Sequence, residues 1–144
     1  MFKKILVPTD GSELANGAAL RAVALAQLAN ASMAIVFVQD IYPYQGIGEA
    51  SATGLQAYMA EARSQGLAAA DRIAQAARDA GVAVETFVVE NHQAAVGIVE
   101  AARDHGADLI AMGSHGRSGL AKLVLGSVAA KVLALSPIPV LVLK

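Results

Sequence analysis

Stretches with the hydrophobic pattern of buried strands alternate along this chain with stretches that have the pattern of amphipathic helices. Residues Lys4 to Val7 have the pattern of a short buried strand, and the β-branched run Ile35 to Val38 has no polar alternation. Runs of this kind are typical of strands that are covered on both faces, as in a parallel sheet. Three further strands are predicted over Val82 to Val89, Asp108 to Met112 and Ile138 to Leu143.

Between these strands, four segments carry apolar residues at helical spacing. The first has Ser12 as a candidate N-cap, and its apolar stripe consists of Leu14, Ala18, Ala22, Leu25 and Ala29. A second helix is predicted from Leu55 to Ala77, after a loop that includes Gly54, a third over Ala94 to Ala102, and a fourth from about Ser127. Alternation of strands and helices predicts an α/β fold, with a single open parallel five-stranded sheet and helices on both faces.

Composition indicates one domain that occupies residues 1–144, because this length is close to that of a typical single domain. Apolar residues make up 56% of the sequence, but aromatic residues only 4%, and there is no tryptophan. The core must therefore be built mainly from alanine, valine, leucine and isoleucine. Such small side chains suit helices that pack closely on a sheet.

Charge and patterning exclude several classes of partner. The formal net charge of −1 provides no basic field for nucleic acid, and the absence of cysteine excludes disulfides and thiolate metal sites. No segment approaches the ~18 consecutive apolar residues of a membrane span, and the first apolar run is too short for a signal peptide. We therefore expect a cytoplasmic protein that binds neither nucleic acid nor membrane.

The candidate binding motif lies where the fourth predicted strand ends. Gly113-Ser114-His115-Gly116 follows this strand, and Gly126-Ser127 comes nine residues later, where the last helix begins. Glycines let backbone N–H groups turn toward a ligand through conformations barred to other residues, and we expect a φ above zero at Gly116 and Gly126. A helix N-terminus adds unpaired donors and a positive dipole end, so the motif suits a phosphate group.

The spacing Gly-x2-Gly-x9-Gly-Ser resembles the nucleotide-binding signature of the universal stress protein family. The opening Ile5 to Ser12, which contains Asp10, the strand Met33 to Val38 and the apolar ending Pro139 to Leu143 resemble the same family in the same order. The resemblance covers the whole chain and points to the family's glycine-signature branch. It implies the strand order 3-2-1-4-5, in which ligands bind where the order reverses between strands 1 and 4.

The resemblance also implies a set of nucleotide-binding residues. Asp10 would accept hydrogen bonds from ribose hydroxyls, backbone groups of Val38 would face adenine, and the start of the last helix would face the phosphates. Two alternatives stay open: Asp10 would instead cap the first helix, and Arg117 would be a solvated charge rather than a phosphate partner. The implied residues are Pro8, Thr9, Asp10, Val38, Met112, Gly113, Gly116, Arg117, Gly126, Ser127 and Val128.

In functional terms, the resemblance implies an ATP-binding stress-response or signalling protein in which occupancy changes conformation or partner choice. AMP or a cyclic nucleotide are alternatives to ATP, and Mg²⁺ would arrive only with the phosphates, since no metal motif occurs. The apolar run Ile138 to Leu143 would be a sheet edge prone to aggregation if it were exposed, and the resemblance implies that it pairs with a second copy in a homodimer. A dimer that binds no nucleotide and a slow ATPase are the competing hypotheses.

Overall fold

The strands form one parallel sheet in the order β3-β2-β1-β4-β5, as the resemblance implied. The structure is a computed structural model that describes residues 1–40, 48–115 and 124–144. The predicted α/β fold class is confirmed. The elements are β1 (Lys4–Thr9), α1 (Glu13–Ala29), β2 (Ser32–Asp40), α2 (Glu49–Asp79), β3 (Val84–Asn91), α3 (Ala94–Asp104), β4 (Leu109–Gly113), α4 (Ser127–Leu135) and β5 (Val140–Leu143).

Alternate strand residues enter two separate cores. Ile5 and Val7 of β1 pack in the core beneath α1 and α2, whereas Leu6, which lies between them, packs in the core beneath α3 and α4. The helix surfaces that cover the sheet consist mainly of alanine. The fully or nearly fully buried alanines on these surfaces include Ala19, Ala22, Ala26, Ala70, Ala74, Ala77, Ala95, Ala102 and Ala129. Helices therefore cover both faces, as predicted.

Helix α1 begins at the predicted cap, and its buried stripe agrees with the predicted one at Ala18 and Ala22 but not at Leu14. The Ser12 hydroxyl accepts a hydrogen bond from the Ala15 N–H at 3.2 Å, and Asn30 ends the helix in the left-handed conformation with φ 51°. Leu14 was expected to face the core, and this prediction is wrong: it is 58% exposed. The buried stripe starts one residue later, at Ala15, because the small alanine face lies against the sheet.

Helix α2 starts before its predicted position and contains two glycines with different surroundings. Gly54 lies inside the helix, so the predicted loop at this position is wrong. The helix tolerates this residue because one exposed glycine costs only about 1 kcal/mol. At Gly66, an added Cβ would lie 2.0 Å from Cε2 of Phe37, so the absent side chain makes room for that ring. Neither α2 nor any other helix of the described residues is long and apolar enough to cross a membrane.

Two strands begin two residues later than predicted, because the preceding residues take part in turns. The Val82 N–H donates to the Ala77 carbonyl at 2.8 Å, which holds Val82 at the end of α2 before β3 begins at Val84. Ser136 Oγ accepts from the Ile138 N–H and donates to the Ile138 carbonyl, so Ile138 belongs to the turn before β5.

Candidate functional site

A cavity of about 510 Å³ opens at the carboxyl ends of β1, β2 and β4. Thr9 lines it from β1 and Asp10 from the residue after β1, while Val38 lines it from β2 and Gly113 from β4. This is the point where the strand order reverses, since β1 pairs with β2 on one side and with β4 on the other. Open α/β sheets bind ligands at such a point, and the volume falls within the range of small-molecule sites.

Most of the sequence-predicted site residues come together in this cavity. Gly116 and Arg117 lie outside the described residues, so the structure does not bear on them. The predicted residues that line the cavity are Pro8, Thr9, Asp10, Val38, Met112, Gly113, Gly126, Ser127 and Val128.

The first turn of α4 contributes backbone donors to the cavity that the helix itself does not pair. The Gly126 carbonyl accepts the first intrahelical hydrogen bond, from the Ala130 N–H at 2.9 Å. The N–H groups of Ser127, Val128 and Ala129 therefore precede the intrahelical ladder, and all three residues line the cavity. This turn carries no acidic residue, so the positive end of the helix dipole is not neutralised from within the helix. The arrangement suits an anionic group.

Gly126 is needed for close packing rather than for an unusual backbone conformation. Its φ is −59°, so the expectation of a positive φ is wrong. Its N–H donates to the Ser114 carbonyl oxygen at 2.7 Å, and an added Cβ would lie 2.7 Å from the same oxygen. The Ser114 N–H in turn donates to the Leu143 carbonyl at 3.1 Å. One short segment therefore joins the start of α4 to the edge strand β5.

The turn between β1 and α1 holds Asp10 at the cavity. Asp10 Oδ1 accepts from the Ser12 N–H at 2.9 Å, and Thr9 Oγ1 accepts from the Gly11 N–H at 3.1 Å. Gly11, next to this site, adopts φ 84°, a left-handed conformation that favours glycine. Asp10 therefore organises the turn before the helix, while Ser12 is the cap. A carboxylate can accept several hydrogen bonds, so this role is compatible with a ligand contact.

The opposite wall of the cavity consists of residues that the sequence analysis missed. Tyr58, Met59 and Arg63 of α2 line it, together with Gln39 at the end of β2. The apolar pattern of α2 was used only to predict a helix, and only the later turns of this helix reach full burial. No local sequence signal marks the earlier turns as part of a site, because packing of α2 over β2 brings them there.

His115 lies beside the start of α4, and its ring is held by Ser114. Ser114 Oγ lies 3.0 Å from His115 Nδ1, and Ser114 is buried. His115 Nε2 is buried and has no hydrogen-bond partner among the residues the structure describes. The same residues contain no group of three histidine, cysteine, aspartate or glutamate side chains that could hold a metal ion.

Comparison with known proteins gives consistent similarities. The model of the Universal stress protein family matches residues 1–144. The chain is 36% identical to Universal stress protein MJ0531 of Methanocaldococcus jannaschii, over 100% of this chain and 83% of that protein. Among solved structures, MJ0577 of the same organism has a TM-score of 0.75 at 32% identity, with 100% and 96% of the two chains covered. A universal stress protein in complex with cAMP has a TM-score of 0.71 at 25% identity, with 99% and 97% covered.

Proposed function

Because this chain belongs to the universal stress protein family, we propose that it binds an adenine nucleotide, ATP foremost, in the cavity at the carboxyl ends of β1, β2 and β4. The observation that carries the proposal is the order of chemical groups along the cavity. Helix N–H donors lie at one end, the Asp10 carboxylate lies in the middle, and the apolar side chains of Val38 and Met59 line the part that follows toward the end of β2. A similar protein was solved in complex with cAMP, which supports a nucleotide ligand.

The proposed ligand lies across the strands with its phosphates at α4. Neighbouring strands are about 4.8 Å apart, so the ends of β4, β1 and β2 span roughly 10 Å, which suits a phosphate, a ribose and a base in turn. Asp10 accepts the ribose hydroxyls and Val38 borders the base, while Gly116 and Arg117 belong to the proposed phosphate end. Mg²⁺ enters only with the phosphates. Occupancy, rather than turnover, is the proposed signal in a stress response.

Thermal unfolding with and without ATP, AMP and cAMP tests the proposal. A ligand that binds only the native state at one hundred times its Kd stabilises by about 2.7 kcal/mol. For a domain of this size, this corresponds to a rise in Tm of roughly 5–10 °C. If no adenine nucleotide at millimolar concentration raises the Tm, the proposed function is wrong.

A charge variant tests the orientation of the ligand without harming the fold. Val128→Asp puts a carboxylate in the first turn of α4, where it favours the helix dipole but repels a phosphate. Ala130→Asp adds the same charge to the same helix at an exposed residue that does not line the cavity. We expect the first variant to fold and lose most of the ATP-dependent Tm shift, and the second to retain it. Equal shifts in both variants would contradict the proposed orientation.

A homodimer through residues Ile138 to Leu143 is the second part of the proposal. β5 is the outer strand of the described sheet next to β4, and Leu141 on it is 36% exposed. Leu133 and Leu135 of the neighbouring α4 are also exposed. Two copies of β5 paired antiparallel would cover this edge in a two-fold contact. Light scattering at micromolar concentration should give twice the chain mass, and a monomer would rule the dimer out.

A further inference from the structure

Two polar side chains lie at the end of the cavity farthest from α4 along the strand order. Arg63 of α2 donates from Nη1 to Gln39 Oε1 at 2.8 Å, and both residues line the cavity. The same guanidinium forms an ion pair with Glu90 on β3. Arg63 therefore links α2 to the ends of β2 and β3, beside the region proposed for the base.

The partner of Gln39 fixes which way its amide points. A guanidinium group has five N–H donors and no acceptor, so the Gln39 atom that it contacts must be the carbonyl oxygen. The amide NH₂ is then directed away from Arg63. None of the described residues accepts a hydrogen bond from it. Because Gln39 lines the cavity, its NH₂ group is a candidate donor to a ligand there, and Arg63 sets the orientation of this amide.

Charge indicates which part of a nucleotide this end receives. Glu90 neutralises Arg63, so the pair carries no net charge toward a ligand. The start of α4 has no acidic residue to offset its positive dipole end, so the phosphates are favoured there. Between these ends, the walls at Val38, Met59 and Ile98 are apolar. A flat, uncharged base with acceptor atoms on its edge fits the end at Gln39.

We propose that Gln39, positioned by Arg63, donates a hydrogen bond from Nε2 to a ring nitrogen of the purine base bound in this cavity. This inference rests on the proposed function and assigns it a base-reading residue. Ring nitrogens are the acceptors that an adenine base presents on its edge, since its exocyclic amino group donates. Gln39 contacts the base, and Arg63 acts only through Gln39.

Binding measurements with ligand analogues test the contact atom by atom. The probes are ATP and its three deaza analogues, in which N1, N3 or N7 is replaced by C–H. The wild type should bind one analogue about tenfold more weakly than ATP, equivalent to about 1.4 kcal/mol. Gln39→Leu should bind ATP and that analogue equally well. The control Gln75→Leu, at an exposed position of α2, should keep the tenfold discrimination.

Variants of Arg63 separate positioning from general packing. Arg63→Met should reduce the discrimination toward unity, because the amide of Gln39 is no longer held. Arg63→Lys, which can still donate to Oε1, should restore it, and Arg72→Met on the same helix should have no effect. Equal weakening of all four ligands by Gln39→Leu, or no weakening, would overturn the inference while ATP binding stands. If the wild type binds none of the four, the proposed function itself fails.

Discussion

The contact between Gly66 and Phe37 makes a sharp prediction about stability. Gly66→Ala adds a methyl group that would lie 2.0 Å from Cε2 and 2.3 Å from Cζ of the Phe37 ring. An ordinary contact needs at least 3.4 Å, so the ring would have to withdraw by about 1.4 Å. Phe37 is only 2% exposed and lines the cavity. The ring therefore cannot move without disturbing either the core or the site.

Two opposing effects set the size of the change. Replacement of glycine by alanine in a helix interior stabilises by about 1 kcal/mol, whereas overpacking a buried contact costs about 1–3 kcal/mol. At Gly54, in the same helix, an added Cβ has no atom within 4 Å, so only the first effect operates. We expect Gly54→Ala to raise the Tm by roughly 2–4 °C and Gly66→Ala to lower it by a few degrees.

Urea unfolding followed by circular dichroism measures the change in the free energy of unfolding that each of the two variants causes. A double-mutant cycle with Phe37→Leu isolates the clash, because removal of the ring leaves space for the new methyl group. Gly66→Ala should be less harmful in the Phe37→Leu background, with a coupling energy of about 1 kcal/mol or more. If Gly66→Ala stabilises the protein as much as Gly54→Ala does, the reasoning from this contact is wrong.

Three further predictions concern a pKa, a close approach and turnover. Burial raises the pKa of Asp108, but hydrogen bonds from the backbone N–H groups of Lys3, Lys4 and Asp108 itself lower it. The net effect is a pKa below the ordinary value of 3.8. Its ionised form therefore stabilises the fold above about pH 4, and this contribution is lost as the pH falls through the lowered pKa. Asp108→Asn should reduce the Tm at pH 7, and thermal scans should show the difference from wild type shrinking as the pH falls through the lowered pKa; a constant difference would contradict this. Gly126→Ala should destabilise the fold, because the new methyl group meets the Ser114 carbonyl oxygen at 2.7 Å, whereas Gly113→Ala makes contacts no closer than 3.4 Å and should be nearly neutral in the same scans. ATP turnover should stay below about 1 s⁻¹ in a single-turnover assay, since the sequence lacks a P-loop lysine and backbone donors alone bind ground and transition states alike; a faster rate that disappears in Asp10→Asn would indicate an enzyme.

The elements that were predicted correctly depend on local chemistry. Ser12 caps α1 because its hydroxyl satisfies an N–H three residues on, a relation that is visible in the sequence. Asp10, Gly113 and Gly126 reach one cavity because residues that follow or flank neighbouring parallel strands share one edge of the sheet. The strand order itself came from the family resemblance, since periodicity does not determine which strands are neighbours.

The errors arose where tertiary packing decides. Gly54 and Gly66 look alike in the sequence, yet one is exposed in the helix and the other makes room for an aromatic ring. A positive φ was expected at Gly126, but a glycine is needed there because Ser114, 12 residues earlier in the chain, approaches it closely. The wall formed by Tyr58, Met59 and Arg63 depends on the position of α2 over β2, which no local pattern encodes.

The alanine surfaces of the helices have a consequence for mutational studies of this fold. An alanine scan, the usual way to map a core, leaves these positions untouched, because Ala22, Ala70 and Ala102 are already alanine and fully or nearly fully buried. Burial of alanine costs no rotamer freedom, so these surfaces are entropically inexpensive to order. Almost every exchange there must add atoms, at a typical cost of about 1–3 kcal/mol. These positions can therefore be probed only by larger side chains. A scan that replaces alanine with valine would reveal which helix contacts leave no room for added atoms.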